Sequence, residues 1–147
     1  MDRRMWIIIG VVLLVGIFVA GLVYASRGSR QVPATIPAST WQWTSMTESA
    51  PPAQSVVPDP ASYTITFNSD GTFSSKVDCN QVGGTYTASD GQLSIAPGPS
   101  TMAECGPESL YNIFLANLAT VDGYSLQGNN LTLTFGAGAG ELIFEKQ

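Results

Sequence analysis

Residues 63–77, "YTITFNSDGTFSSKV", decide the fold. Tyr63, Ile65 and Phe67 alternate with threonines, so in an extended chain three large apolar side chains share one face. Ser69-Asp70-Gly71 supplies the turn, and Phe73 and Val77 return on the same side of a second strand. The stretch therefore reads as an antiparallel hairpin with one face buried. The same pattern recurs on either side of it. Asp90-Gly91 joins "GTYTA" to "QLSIA", "NLTLTF" (130–135) turns Leu131, Leu133 and Phe135 inward, and "ELIFE" (141–145) pairs back across "GAGAG". Upstream, "TWQWTSM" from Thr40 places Trp41 and Trp43 on one face of a first strand.

One segment has a different period. After Pro107, "ESLYNIFLANLATV" (108–121) carries Leu110, Ile113, Phe114, Leu118 and Val121 at the spacing of one helical face. Pro107 suits the first turn of such a helix and Glu108 complements its dipole. The expected fold class is α+β, a small curled sheet, antiparallel or mixed, with one helix on a face. The Pro-rich stretch 47–62 shows neither period and reads as a mobile surface loop.

Ahead of this domain, Met5–Ala25 runs for 21 residues without a charge or a strongly polar side chain. As a helix it reaches about 31 Å, the thickness of a bilayer core, with Trp6 and Tyr24 near its ends. The expected organisation is a cytoplasmic 1–4, a transmembrane helix or uncleaved signal anchor 5–25, a flexible linker 26–39, and a folded domain 40–147. Arginines flank both ends of the span, so their count does not orient it. The short N-terminal tail and the downstream cysteines favour the N-terminus inside and the domain outside a cell membrane. The alternative is secretion after cleavage near Ala25, where "VYA" offers a small residue.

Charge and composition remove whole classes of function. From Gln31 onward ten acids face only Lys76 and Lys146, a net charge of −8, and such a surface repels phosphate backbones. Nucleic acid is not an expected partner. There is no histidine, which removes the commonest general base and the commonest metal ligand. "GAGAG" (136–140) precedes a strand rather than a helix, so it is a hairpin turn and not a phosphate loop. Asn130-Leu131-Thr132 matches a glycosylation acceptor but reads as an ordinary turn asparagine.

In "DCNQVGGTY" (78–86), Cys79 has no base to hold it as a thiolate, and two cysteines without histidines do not close a zinc site. An exported domain with two cysteines points to a disulfide between Cys79 and Cys105, with a pair of buried thiols as the alternative. Such a bond closes a loop of about 27 residues and contributes roughly 3 kcal/mol. Asn80 and Gly83-Gly84 read as a bend. Of the carboxylates, only Asp78 and Glu104 lack an evident structural task, which makes them the one candidate acid–base pair.

The order of short motifs also resembles a known family. "W-x-W-T-S" (41–45), "YTITFNSDGT" (63–72), "DCN" with "GTY" (78–86), "STMAEC" (100–105), the helix "SLYNIFLANLATV" and the strand "GNNLTLTF" follow one another as in the META domain family, which includes the HslJ-like heat-shock proteins of bacteria. The matching positions include Trp41, Trp43, Asp78, Asn80, Gly84, Tyr86, Thr101 and Met102. The resemblance implies a partial barrel around one helix, a bacterial envelope location and a role in stress or antibiotic tolerance, and it supplies no catalytic residue. Many relatives are lipoproteins; no cysteine lies near residue 25 here, so lipidation is not the expected anchor.

Together these readings lead to a membrane-tethered, extracytoplasmic, non-catalytic binding or envelope-stress module, without cofactor or metal. Its partner is an envelope protein, a polymer or a small ligand; the 47–62 loop and the Trp41/Trp43 strand are the places to look for a binding face, although core packing is the favoured reading of both tryptophans. The alternatives are a small hydrolase using Asp78 and Glu104, and an inhibitor of secreted proteases that inserts the 47–62 loop.

Overall fold

The computed structural model describes residues 35–147. Nine strands follow in chain order: β1 (Thr40–Ser49), β2 (Pro52–Val56), β3 (Tyr63–Phe67), β4 (Thr72–Val77), β5 (Asn80–Ser89), β6 (Gln92–Ser100), β7 (Val121–Gln127), β8 (Asn130–Phe135) and β9 (Gly140–Lys146). A 3₁₀ turn, Pro60–Ser62, precedes β3, and helix α1 (Tyr111–Leu118) lies between β6 and β7. Every pairing among the described residues is antiparallel. β1 pairs with β9 from Trp41↔Lys146 to Glu48↔Gly140, which closes β1 and β3–β9 into an eight-stranded barrel.

The turns follow from their residues. The β3–β4 connection ends on Gly71 at φ +83°, and the Asp70 carboxylate accepts from both the amide and the hydroxyl of Thr72. Those two bonds hold Asp70 below its ordinary pKa of 3.8. Asp90 and Gly91 are both left-handed and join β5 to β6 in two residues, as Asp-Gly favours. At Gly84 in β5 a side chain would meet the Ala96 carbonyl and the Phe73 ring, so two neighbouring strands depend on its missing Cβ.

The inward faces meet in one core. Trp41, Trp43, Ile65, Phe67, Leu131, Leu133, Leu142 and Phe144 are all at most 2% exposed. α1 inserts Phe114 among Trp43, Tyr63 and Phe144, at ring separations of 5.2, 6.3 and 6.2 Å. Ile36, in the stretch read as linker, is also buried in this core.

Several expectations are corrected. The helix is Tyr111–Leu118; Pro107 and Glu108 precede it, Ile113 is 46% exposed, and Val121 begins β7. Asn80 and Gly83-Gly84 are not a bend but the first half of β5; the turn is Asp78-Cys79. Residues 47–62 are not an irregular loop. β1 runs through Ser49, β2 doubles back along it, and the 3₁₀ turn completes the segment. A bulge between Trp43 and Ser45 marks the change of neighbour. Before it Thr40–Gln42 pair with β3, and after it Ser45–Ser49 pair with β2. Bulged strands bend, and here the bend carries β2 outside the barrel. No helix among the described residues is long and apolar enough to cross a membrane; the expected span at 5–25 lies outside them.

Candidate functional site

The bend in β1 opens a cleft of about 380 Å³. One wall is the segment Ser55–Ser62, the end of β2 and the 3₁₀ turn. The other is the irregular segment Cys105–Leu110 with Ile113 of α1. Trp43 and Tyr63 close the floor, with their rings edge to face at 5.6 Å. Val56 and Ile113 stand on opposite lips, 73% and 46% exposed, two of the three large apolar side chains open to solvent among the described residues; the third, Met102, lies outside the cleft. Ligand sites are typically concave, largely apolar and roughly 300–1,000 Å³ in volume.

The second wall has no regular structure of its own, and the "DCN" motif explains how it is held. Asn80 is fully buried. Its Oδ1 accepts from the Ala103 amide (2.8 Å) and the Thr101 hydroxyl (2.9 Å), while its Nδ2 donates to the Ala103 carbonyl at 2.9 Å. Nδ2 also lies 3.1 Å from the Cys105 sulfur. One side chain thus substitutes for a strand partner. Thr101 adds a bond from the Gln81 amide to its hydroxyl. Next to this, Cys79 and Cys105 form a disulfide with Cα atoms 5.5 Å apart, as expected from the sequence, and the thiol-pair alternative falls.

Asp78, without a role in the sequence reading, has two here. It takes the left-handed position of the two-residue β4–β5 turn at φ +59°, which aspartate tolerates. Its amide donates to the Ser62 carbonyl, and its carboxylate accepts a long bond from the Tyr63 hydroxyl at 3.4 Å. That hydroxyl accepts in turn from the Leu110 amide at 2.8 Å. The line Leu110–Tyr63–Asp78 ties both walls to the floor.

Of the residues singled out in the sequence, Trp43, Asp78 and Cys105 line the cleft. Trp41 is core, and Tyr86 packs edge-on against Phe67 and donates to the Asn68 carbonyl. Burial raises the Tyr86 phenol above its ordinary pKa. Met102 is 89% exposed and Glu104 is exposed outside the cleft, so Asp78 and Glu104 do not share a pocket. Asp59, not singled out from the sequence, and Glu108, read there only as a helix-dipole residue, are in the lining with Asp78. Only their fold-level proximity marks them, since they lie far apart in the chain. Among the described residues no group of three histidines, cysteines or carboxylates is placed to hold a metal.

The META domain family model matches residues 34–147, from just before Ile36 to the end of β9. The chain belongs to the META domain family. Two solved structures resemble this META domain in fold. One is the NMR structure of a protein from Burkholderia xenovorans, 21% identical, with a TM-score of 0.61, covering 83% of this chain and 97% of that one. The other is the crystal structure of a DUF4847 family protein from Bacteroides vulgatus, 19% identical, with a TM-score of 0.56, covering 74% and 92%. At such identities the likeness concerns the fold alone. The comparison with curated proteins gives no match.

Proposed function

We propose that this META domain is a non-catalytic binding module of the HslJ-like type, held by residues 5–25 on the outer side of a bacterial cell membrane, with the cleft beneath β2 as its binding site. The observation that carries this reading is the cleft itself. It is walled by a segment that a buried asparagine and a disulfide hold in place, and it is lipped by two exposed aliphatic side chains. Large exposed apolar groups around a preformed hollow are a mark of recognition surfaces. The disulfide suits an oxidising compartment, and the apolar run at 5–25 suits retention there. A catalytic role has less support, because the candidate carboxylates are apart and the chain has no histidine. The inhibitor reading has no separate observation behind it; within 47–62, Pro52–Val56 lie paired along β1.

Small apolar and aromatic fragments should shift the amide resonances of Val56, Leu110 and Ile113 and leave those of the β7–β8 turn unmoved. A diverse fragment set that leaves the cleft amides in place would refute the site. For the anchor, carbonate-washed membranes should retain the protein. A soluble product beginning at Ser26 would show that the segment is removed.

A further inference from the structure

The charges around the cleft say what kind of ligand it takes. Asp59, Asp78 and Glu108 all line it, and among the described residues no lysine or arginine does. Among the described residues, no base pairs with any of the three. Among the described residues, Asp59 accepts from the Ser62 hydroxyl (2.7 Å), Asp78 accepts only the long bond from Tyr63, and the Glu108 carboxylate has no partner. Lys76 is nearby, but its ammonium donates to the Ala61 carbonyl and is not in the lining. The carboxylates come from three separate parts of the chain: the turn before β3, the β4–β5 turn and the segment before α1. They therefore present a negative potential from more than one side over a hollow whose body is apolar. Val56, Val57, Pro58, Leu110 and Ile113 offer nothing to a polar ligand, and three carboxylates repel an anionic one.

We infer that the cleft binds a small organic cation, an ammonium group carrying an alkyl or aryl body, with the body between Val56 and Ile113 and the ammonium facing Asp78 and Glu108. This rests on the cleft being a binding site, as proposed above, and adds the class of its ligand. A low-dielectric wall next to the carboxylates makes them attract a cation more strongly than carboxylates standing free in water. The apolar lips contribute affinity for the body whatever its charge, so the charge preference and the apolar contribution are separable.

The test uses the full chain, isotope-labelled and held in a non-ionic detergent, titrated with 3-phenylpropylamine, 3-phenylpropanol and 3-phenylpropionate. These probes share a body and differ in charge. The amine is expected to shift the cleft amides with at least tenfold higher affinity than the alcohol, and the propionate to bind weakest. The double variant Asp78→Asn, Glu108→Gln should remove most of the amine's advantage over the alcohol, with Asp59 left to account for the remainder; an asparagine oxygen still accepts from the Tyr63 hydroxyl, so the alcohol is expected to bind within about twofold of the parent. Asparagine tolerates the left-handed turn position, and Glu108 is exposed, so this variant folds. Raising the salt from 0.01 to 1 M shortens the Debye length from about 30 to about 3 Å and should weaken the amine alone. Equal binding of amine and alcohol, or a preference that survives both the double variant and high salt, overturns the charge assignment while the site stands. If no probe of any charge moves the cleft amides, the site itself is refuted.

Discussion

Replacing Asn80 with alanine is expected to lower stability by about 3 kcal/mol, read as a shift of the urea midpoint at constant slope. The magnitude follows from what is left behind. Asn80 is fully buried and satisfies the Ala103 amide, the Ala103 carbonyl and the Thr101 hydroxyl at once. Alanine removes the shared partner of all three, leaving the Thr101 hydroxyl only the bond it accepts from the Gln81 amide, and a buried polar group left unpaired costs about 1–3 kcal/mol. Ala103 itself is exposed, so the chain has a way out: residues 101–105 can lift and take water instead. That escape limits the loss, but it undoes the second wall of the cleft. Asn80→Asp sharpens the test. It keeps the acceptor toward Ala103 and Thr101, replaces the donor with a second oxygen facing the Ala103 carbonyl, and buries a charge. The folded-state pKa of the new carboxyl rises above its unfolded value of about 3.9, so the neutral form is favoured in the native protein. The Asn80→Asp protein should therefore be closest to the parent near pH 4 and fall further behind as the pH rises through the folded pKa. A loss below 1 kcal/mol for Asn80→Ala at pH 7 would show that the segment does not depend on this side chain.

The second large effect is expected from the disulfide. Cys79→Ser with Cys105→Ser should cost roughly 3 kcal/mol, the chain-entropy contribution of a loop with the observed sequence separation of 26. In a domain of this size that is about 12–20 °C in Tm, to be measured by calorimetry with and without reductant. Cys79 is exposed, so reductant reaches the bond without global unfolding. Equal melting of parent and double variant would refute a stabilising role. The two tethers hold the same segment, residues 101–105, so their losses are not expected to add.

Sequence periodicity revealed the fold where one face of a strand is buried and the other is not. β3 and β8 alternate strictly in sequence and in burial, while β4 with its buried Ser75 and β9 with Leu142-Ile143-Phe144 do so closely enough to read. It failed on β2, where all five residues are exposed and no face selects apolar side chains, so a paired strand looked like a Pro-rich loop. It failed differently on β7, where a bulge between Val121 and Gly123 breaks the two-residue period. The apolar Val121 then falls into register with the preceding helix and lengthens it on paper. The site was hardest to see. Asn80 is a single polar residue whose partners lie 21–25 positions away, and no local pattern announces such a bond. The cleft joins segments that only the closed barrel brings together.

That barrel is not equally closed all round. β6 meets β7 at one residue pair, Gln92↔Gly123, supported by the Tyr124 amide on the Gly91 carbonyl, while every other junction carries at least three pairs. The molecule is in effect two meanders, β1–β6 and β7–β9, hinged along the long β1–β9 ladder and clasped at a single point opposite. The chain crosses between them through residues 101–120, the stretch that Asn80 and the disulfide fasten to the first meander. Those fastenings thus act as a strap on the hinge. Between Cys105 and Val121 the crossing carries α1, whose Phe114 packs on Trp43 and Tyr63 of the first meander and on Phe144 of the second, so a ligand seated against Leu110 and Ile113 touches the very segment that spans the seam.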